Sequence, residues 1–201
     1  MSAIEALERD VARYDLRLEA AEWRRLRAQI TETSVPRKGV ILPQARVAER
    51  WAFLADGLAA SVQTLPDGSA AIARFFEPGQ FCANLPSAWR KEPGADELTA
   101  VADATLALLP DRIFREQYLR GGGFGEYLRH KAIETLLFDK DLICAKTSTD
   151  MEERYRFLET RQARVLERAP QVDIARFLGV TPQGLSRFLR RRGERRLNPG
   201  S

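Results

Sequence analysis

The stretch "QVDIARFLGVTPQGLSRFLRRR", Gln171 to Arg192, carries more internal order than any other part of the chain. Ile174, Ala175, Leu178, Val180, Leu185 and Phe188 recur at the spacing of two short helices that cross beside a turn. Ala175 is small where the second helix must pass close to the first. Gly179 supplies the left-handed backbone that ends the first helix. Thr181 is placed to cap the second helix and Pro182 to fill its first turn, where a missing N–H costs nothing. Outside this apolar seam stand Gln183, Gly184, Ser186, Arg187, Arg190 and Arg191. Arginine pairs in two-pronged fashion with guanine O6 and N7, and glutamine with adenine N6 and N7. The stretch therefore reads as a helix-turn-helix for double-stranded DNA. Arg187 and Gln183 are expected on bases, and Arg190, Arg191 and Arg192 on phosphates.

The charge distribution points the same way. The 201 residues carry 32 Lys and Arg against 28 Asp and Glu, a net +4. From Glu152 onward twelve arginines face six acidic residues, whereas the preceding 151 residues sum to −2. A basic terminal module suits a polyanion, although an arginine-rich terminus also serves as plain solvated surface. Hydrophobic residues at 44% and charged residues at 30% describe an ordinary globular protein. No run approaches the roughly 20 apolar residues of a membrane helix, and "MSAIEALERD" does not read as a signal peptide, so a cytoplasmic location is expected. With only Cys82 and Cys144, neither a disulfide framework nor a four-cysteine metal site can form within one chain.

Outward from the motif, three regions follow. From Ile4 to Thr31 the apolar spacing is helical, for one helix or two short ones. From Pro36 short apolar and β-branched runs alternate with Gly and Pro. "WAFLADG" (Trp51 to Gly57), "LAASVQTLPDG" (Leu58 to Gly68) and "SAAIARFFEPGQF" (Ser69 to Phe81) read as strands divided by turns, with "PDG" a hairpin signal. "LTAVADATLALLP" (Leu98 to Pro110) reads as a strand pair around Asp103, and the whole as an antiparallel barrel or roll. After Pro110 the pattern is helical: "DRIFREQYLR", a break at Gly121 to Gly123, and a long helix from Phe124 to Lys146. That helix carries Phe124, Leu128, Ala132, Leu136, Leu137, Asp139, Lys140 and Ile143 along one imperfect stripe, to pair with a second copy or to pack on its own roll. Thr149-Asp150-Met151-Glu152 reads as a capping box opening a new domain. The expected division is 1–110 for N-terminal helices and roll, 111–148 for the helical linker, and 149–201 for the DNA-binding module.

With these residues in place, the chain resembles the Crp/Fnr superfamily of bacterial transcription regulators, the relatives of the cyclic-AMP receptor protein. The likeness rests on "FFEPGQF", the long helix, and "ERYRFLE…VLERAPQVDIARFLGVTPQGLSRFLRR", and covers about Arg37 to Arg192. It implies an α+β fold: a cyclic-nucleotide-binding-like β-roll (jelly roll), a long dimerisation helix and a C-terminal winged helix-turn-helix. It further implies a homodimer on a palindromic site. Phe124, Leu128, Ala132, Leu136 and Ile143 would line the dimer seam, Thr181 would meet phosphate, and RNA polymerase is the further partner to expect. An effector pocket would fall at Gly79, Asn84, Leu85, Gly94 and Ala95. In members that bind cyclic nucleotide, a Glu for the ribose and an Arg-Ser or Arg-Thr pair for the phosphate follow the "PG" turn; Asn84, Gly94 and Ala95 stand there instead. A cyclic phosphate without a guanidinium would be poorly compensated, so a response to cyclic AMP is not expected.

No cofactor is identified; an unknown small molecule is the remaining effector class. His130, on the long helix, is a packed or surface residue rather than a haem ligand in this reading. The stretch "GERRLNPGS" leaves little chain for a wing, which is expected to be short or missing. The alternative reading is a ligand-binding regulatory protein whose C-terminal helices dock on a protein partner. An enzyme on the roll has no support in these residues: "GGGFGEY" lacks the Lys and Ser/Thr of a phosphate loop, and no nucleophile has an adjacent base.

Overall fold

A computed structural model describes residues 1–16 and 18–197, with side chains described through 193. Helical periodicity at the N-terminus resolves into two helices, α1 (Ala3–Ala12) and α2 (Ala20–Arg27). Ser2 opens α1 with a capping box, its hydroxyl accepting from Glu5 N–H while the Glu5 carboxylate accepts from Ser2 N–H. The strands follow as β1 (Thr31–Val35), β2 (Val40–Leu42), β3 (Arg50–Thr64), β4 (Ala70–Phe76), β5 (Phe81–Cys82) and β6 (Glu97–Pro110), with a short helix α3 (Leu85–Arg90) before β6. All pairings among the described residues are antiparallel. The order is β1-β6-β3-β4, with β2 joining β6 and β5 joining β3. This is the expected roll.

Its strands are longer than the turn signals imply. Gly57 does not divide two strands: β3 runs through it, paired with β6 almost throughout, and the register shifts on either side of Asp56. Gly57 has φ +100°, and a Cβ built there would lie 2.2 Å from the Asp103 carbonyl oxygen. The glycine thus serves a β-bulge and a close backbone approach. The expected strand pair around Asp103 is likewise one continuous strand, and the Asp103 carboxylate accepts from Arg37 N–H of the loop after β1 (2.8 Å). "PDG" does form the hairpin from β3 to β4, closed by Leu65 N–H to the Ser69 carbonyl (2.8 Å).

Beyond β6 the chain is helical: α4 (Asp111–Arg120), a corner at Gly121 and Gly122, α5 (Gly123–Thr147), α6 (Met151–Arg161), α7 (Ala163–Arg168), α8 (Gln171–Leu178) and α9 (Pro182–Leu197). The capping box expected at Thr149 does not form, and the N-cap is the next residue. Asp150 caps α6, accepting from Glu152 N–H (2.9 Å), and Ser148 Oγ accepts from Asp150 N–H. Where a wing would begin, α9 instead continues through Leu197, and no strand follows it among the described residues; 198–201 lie outside them. No described helix is long and apolar enough to cross a membrane.

Three apolar clusters hold these elements. Ala52, Leu54, Ala59, Phe76, Leu98, Ala100, Ala104 and Leu106 pack together within the roll. A second cluster joins the roll to α1, α2, α4 and the start of α5 through Trp51, Phe53, Phe114, Phe124 and Tyr127. Two buried carboxylates fix it: Asp10 accepts from Tyr127 Oη (2.8 Å), and Asp111 accepts from Trp51 Nε1 (3.0 Å) and Arg115 Nε (2.9 Å) and pairs with Lys91. The third cluster spans the outer face of the roll and the C-terminal helices, bringing Leu58, Ile72 and Phe75 against Leu142, Phe157, Val165, Ile174 and Phe177.

Since any side chain at 57 meets both a forbidden φ and the β6 backbone, Gly57→Ala should lower the unfolding free energy by on the order of 3 kcal/mol in urea titration. Gly68→Ala, where a Cβ finds open space, should cost clearly less, its positive φ alone being strained.

Candidate nucleic-acid interface

The helix pair at 171–192 forms as its residue pattern dictates. Gly179 ends α8 in the left-handed region (φ 68°, ψ 34°), and Val180 N–H returns to the Ala175 carbonyl (3.0 Å), the closure expected of a helix ended by glycine. Ala175 is completely buried, as the close crossing requires. Thr181 Oγ1 accepts from Gly184 N–H (3.0 Å) and so caps α9, leaving its own O–H free to donate outward. Leu185 is fully buried, with Phe188 and Leu189 packed beside it. Gln183, Ser186, Arg187, Arg190 and Arg191 are exposed and Gly184 is half-buried. Spacings of three and four residues place Gln183, Arg187 and Arg190 along one outward stripe of α9.

Arg192 does something else. Its Nη1 and Nη2 meet both Glu159 oxygens (2.5 and 2.6 Å), its Nε meets Glu152 (2.7 Å), and its guanidinium lies over the Tyr155 ring at 4.8 Å. The bond to Glu159 holds its pKa far above the usual arginine range. This guanidinium fastens α9 to α6 and is spent inside the protein, so its placement among phosphate contacts is corrected. The sequence contained the signal, glutamates at 152 and 159 two turns apart on one face of a helix, but nothing in it said which arginine they would meet.

The long helix α5 is divided. Phe124 and Leu128 are wholly buried in their own protomer's core, so they cannot line a seam with a second copy. Beyond them the apolar residues emerge: Ile133 is 58% exposed, Leu136 66%, Leu137 59% and Ile143 63%, with Ala132 also exposed. Ile133 was absent from the predicted stripe, yet Ile133, Leu136, Lys140 and Ile143 follow the heptad spacing of a paired helix, with a lysine at one of the four places. His130 is exposed with its ring near Tyr14 (5.5 Å). Cys82 is fully buried, and burial pushes its thiol up to about 12, which makes it inert.

Where α5 passes β4, charge enters the interior. Arg74 reaches Asp139 (2.5 Å) between the rings of Phe76 and Phe138. Desolvation lowers the Arg74 pKa and raises that of Asp139, each partly offset by the other. Two turns on, Lys146 Nζ donates to the Ile72 carbonyl (2.6 Å) and the Ala73 carbonyl (3.0 Å) and sits 4.6 Å from the centre of the Phe177 ring. Burial brings this ammonium down to about 8. Sequence periodicity did not single out Lys146 as a junction residue, because its partners are backbone carbonyls more than 70 positions away.

The residues proposed for an effector do not gather round one cavity. Asn84 is buried and caps α3, accepting from Ser87 N–H (3.2 Å), and its amide lies where a Cβ on Gly94 would be. Gly94 is tied on both sides to the loop before β3, through Ala45 N–H to its carbonyl (2.9 Å) and its N–H to the Arg46 carbonyl (3.1 Å). Leu85 and Ala95 point to solvent. Gly79 instead lines a cleft of about 270 Å³ between α1, the turn after β4 and α7, beside Asp10, Glu77 and Arg164.

No protein-family model matches the chain, and a search of curated proteins finds no match. Solved structures do match in fold. FixK2 from Bradyrhizobium japonicum superposes with a TM-score of 0.67 over 81% of this chain and 83% of its own, at 21% identity. The two chains share one fold. A CooA variant from Carboxydothermus hydrogenoformans gives 0.64 over 96% and 85%, at 14% identity. The c-di-GMP responsive global regulator CLP from Xanthomonas campestris gives 0.58 over 88% and 92%, also at 14%. These matches take in the roll and much of the helical C-terminal region, since each covers more than four-fifths of this chain.

Losing the Arg192 fork leaves Glu152 and Glu159, two turns apart on the same face of α6, without their shared cation. Arg192→Gln should therefore lower stability in urea unfolding by about 1–2 kcal/mol, more than Arg191→Gln, whose side chain is exposed.

Proposed function

We propose that the protein is a DNA-binding transcription regulator of the Crp/Fnr type that acts as a homodimer on a palindromic site and does not respond to cyclic AMP. The observation that carries this reading is the face of α9: its apolar residues are consumed by packing on α8 and α6, and Gln183, Ser186, Arg187, Arg190 and Arg191 are left exposed. A helix that presents arginine and glutamine outward, with a threonine hydroxyl at its N-terminus, matches the major groove in width and in hydrogen-bonding chemistry. Arg187 and Gln183 are assigned to base edges, and Thr181, Arg190 and Arg191 to phosphates.

The dimer is assigned to the exposed apolar run of α5, Ile133, Leu136, Leu137 and Ile143, which costs free energy while it faces water. Two protomers related by a two-fold axis would present two copies of α9 to successive major grooves, so half-sites should be spaced about 34 Å apart. Against cyclic AMP stand the residues of the cassette. Asn84 is engaged in capping, Gly94 in backbone pairing, and neither Gly94 nor Ala95 brings a guanidinium to a phosphate. Similar regulators named above lend the reading their fold.

Selection of random duplex DNA by the full chain should enrich a two-fold symmetric sequence, with affinity falling steeply as salt rises. Arg187→Ala combined with Gln183→Ala should remove sequence preference, at about 1–3 kcal/mol for each lost base contact, and leave the fold intact by circular dichroism. Cyclic AMP at millimolar concentration should leave the melting temperature unchanged. A pool that enriches no sequence, or a double variant that selects as the parent does, would refute the reading.

A further inference from the structure

Strand β4 lies at the edge of the sheet, so among the described residues one side of its backbone has no strand partner. Within it the register slips: Arg74 pairs with Ser61 and Ile72 with Val62, which leaves Ala73 as the extra residue of a bulge. A bulge turns carbonyls away from the ladder and leaves them to be satisfied elsewhere. Here the carbonyls of Ile72 and Ala73 both receive Lys146 Nζ, and that of Phe75 receives Gln162 Nε2 (3.2 Å) from a side chain only 1% exposed. One of these donors is at the end of α5 and the other stands between α6 and α7. The same ammonium covers Phe177 of α8, and Phe177 in turn meets Phe75 of β4 at 5.3 Å. Roll, long helix and the first helix of the DNA-reading pair meet at one side chain.

We propose that Lys146, seconded by Gln162, is a positioning residue for DNA recognition: by capping the bulged edge of β4 it holds α8, and through it α9, at a fixed attitude to the roll. The proposal rests on the DNA-binding reading above. Burying an ammonium among carbonyls costs desolvation that its hydrogen bonds only roughly return, so the residue adds little to overall stability. What it adds is direction. Packing among Phe75, Phe157 and Phe177 holds α8 against the roll without direction of its own, and three hydrogen bonds from two side chains to particular carbonyls fix which way it sits.

The test compares the full-length parent with Lys146→Met, which keeps the apolar stem and deletes the donors. DNA is the symmetric sequence enriched by the parent, and amide hydrogen exchange is followed in the absence of DNA. The variant should melt close to the parent, bind the selected DNA roughly tenfold more weakly with the same dependence on salt, and lose exchange protection over 171–178 but not over 123–131. An unchanged salt slope separates positioning from phosphate contact, since a lost phosphate contact reduces it. Gln162→Leu removes the other cap and should act in the same direction, which keeps the test open if Lys146→Met folds poorly. If the parent selects DNA but the folded variants bind it within twofold of the parent, the positioning role is wrong and the DNA-binding reading stands. If the parent selects no sequence, the reading fails and takes the proposal with it.

Discussion

Phe177 of α8 packs on Phe75 of the roll's edge strand and on Phe157 of α6, and most of what the C-terminal half can do depends on that contact. Through it the outer face of the roll and the helix pair that presents arginine and glutamine share a single apolar cluster. Had the two halves been joined by α5 alone, the attitude of α9 would be set by one helix end and a short loop. With Leu58, Ile72 and Phe75 buried against Ile174 and Phe177, separating them would return several large side chains to water, at about 1.5–3 kcal/mol for each one fully exposed. The outward stripe of α9 is thus carried on a packed base, whose direction the Lys146 and Gln162 hydrogen bonds add.

That arrangement gives polar residues two separate tasks. Some are consumed in the interior: Asp10 and Asp111 knit α1, α4 and α5 to the roll, Arg192 joins α9 to α6, and Lys146 and Gln162 satisfy the carbonyls of β4. Others remain outside, and among the arginines of α9 the division is sharp. Arg192 has all three nitrogens on two glutamates and its face on a tyrosine, while Arg187 and Arg191 are exposed. Sequence position alone cannot separate neighbours at 191 and 192. Helical geometry does, because successive residues differ by about 100° and only one of the two can face α6.

The same distinction explains what could be read before the structure. Gly179, Thr181 and Pro182 were legible because each acts on backbone within four residues of itself, and Ala175 because the helix it must let pass follows directly in the chain; the structure keeps all of them in their expected places. α5 was legible in extent for a similar reason. Gly57 was misread because a glycine with positive φ serves a turn and a bulge equally; the deciding neighbour, the Asp103 carbonyl, lies 46 positions away. Phe124 and Leu128 fit a helical stripe, yet periodicity cannot tell a face packed on its own core from one left open to a partner. The effector cassette failed differently. Asn84 and Gly94 do meet, but as a helix cap and a backbone bridge rather than as walls of a cavity.

The central claim is that Arg187 on α9 reads a base edge in the major groove, and the most direct measurement removes the atom it would read. In the selected DNA, 7-deazaguanine replaces guanine one position at a time, which deletes N7 and leaves Watson–Crick pairing intact. Symmetric positions in the two half-sites should then weaken binding of the parent, and the same replacements should cost Arg187→Ala nothing further. If no replaced guanine affects the parent, or if the parent and Arg187→Ala lose affinity equally at every position, α9 does not read DNA in the way described.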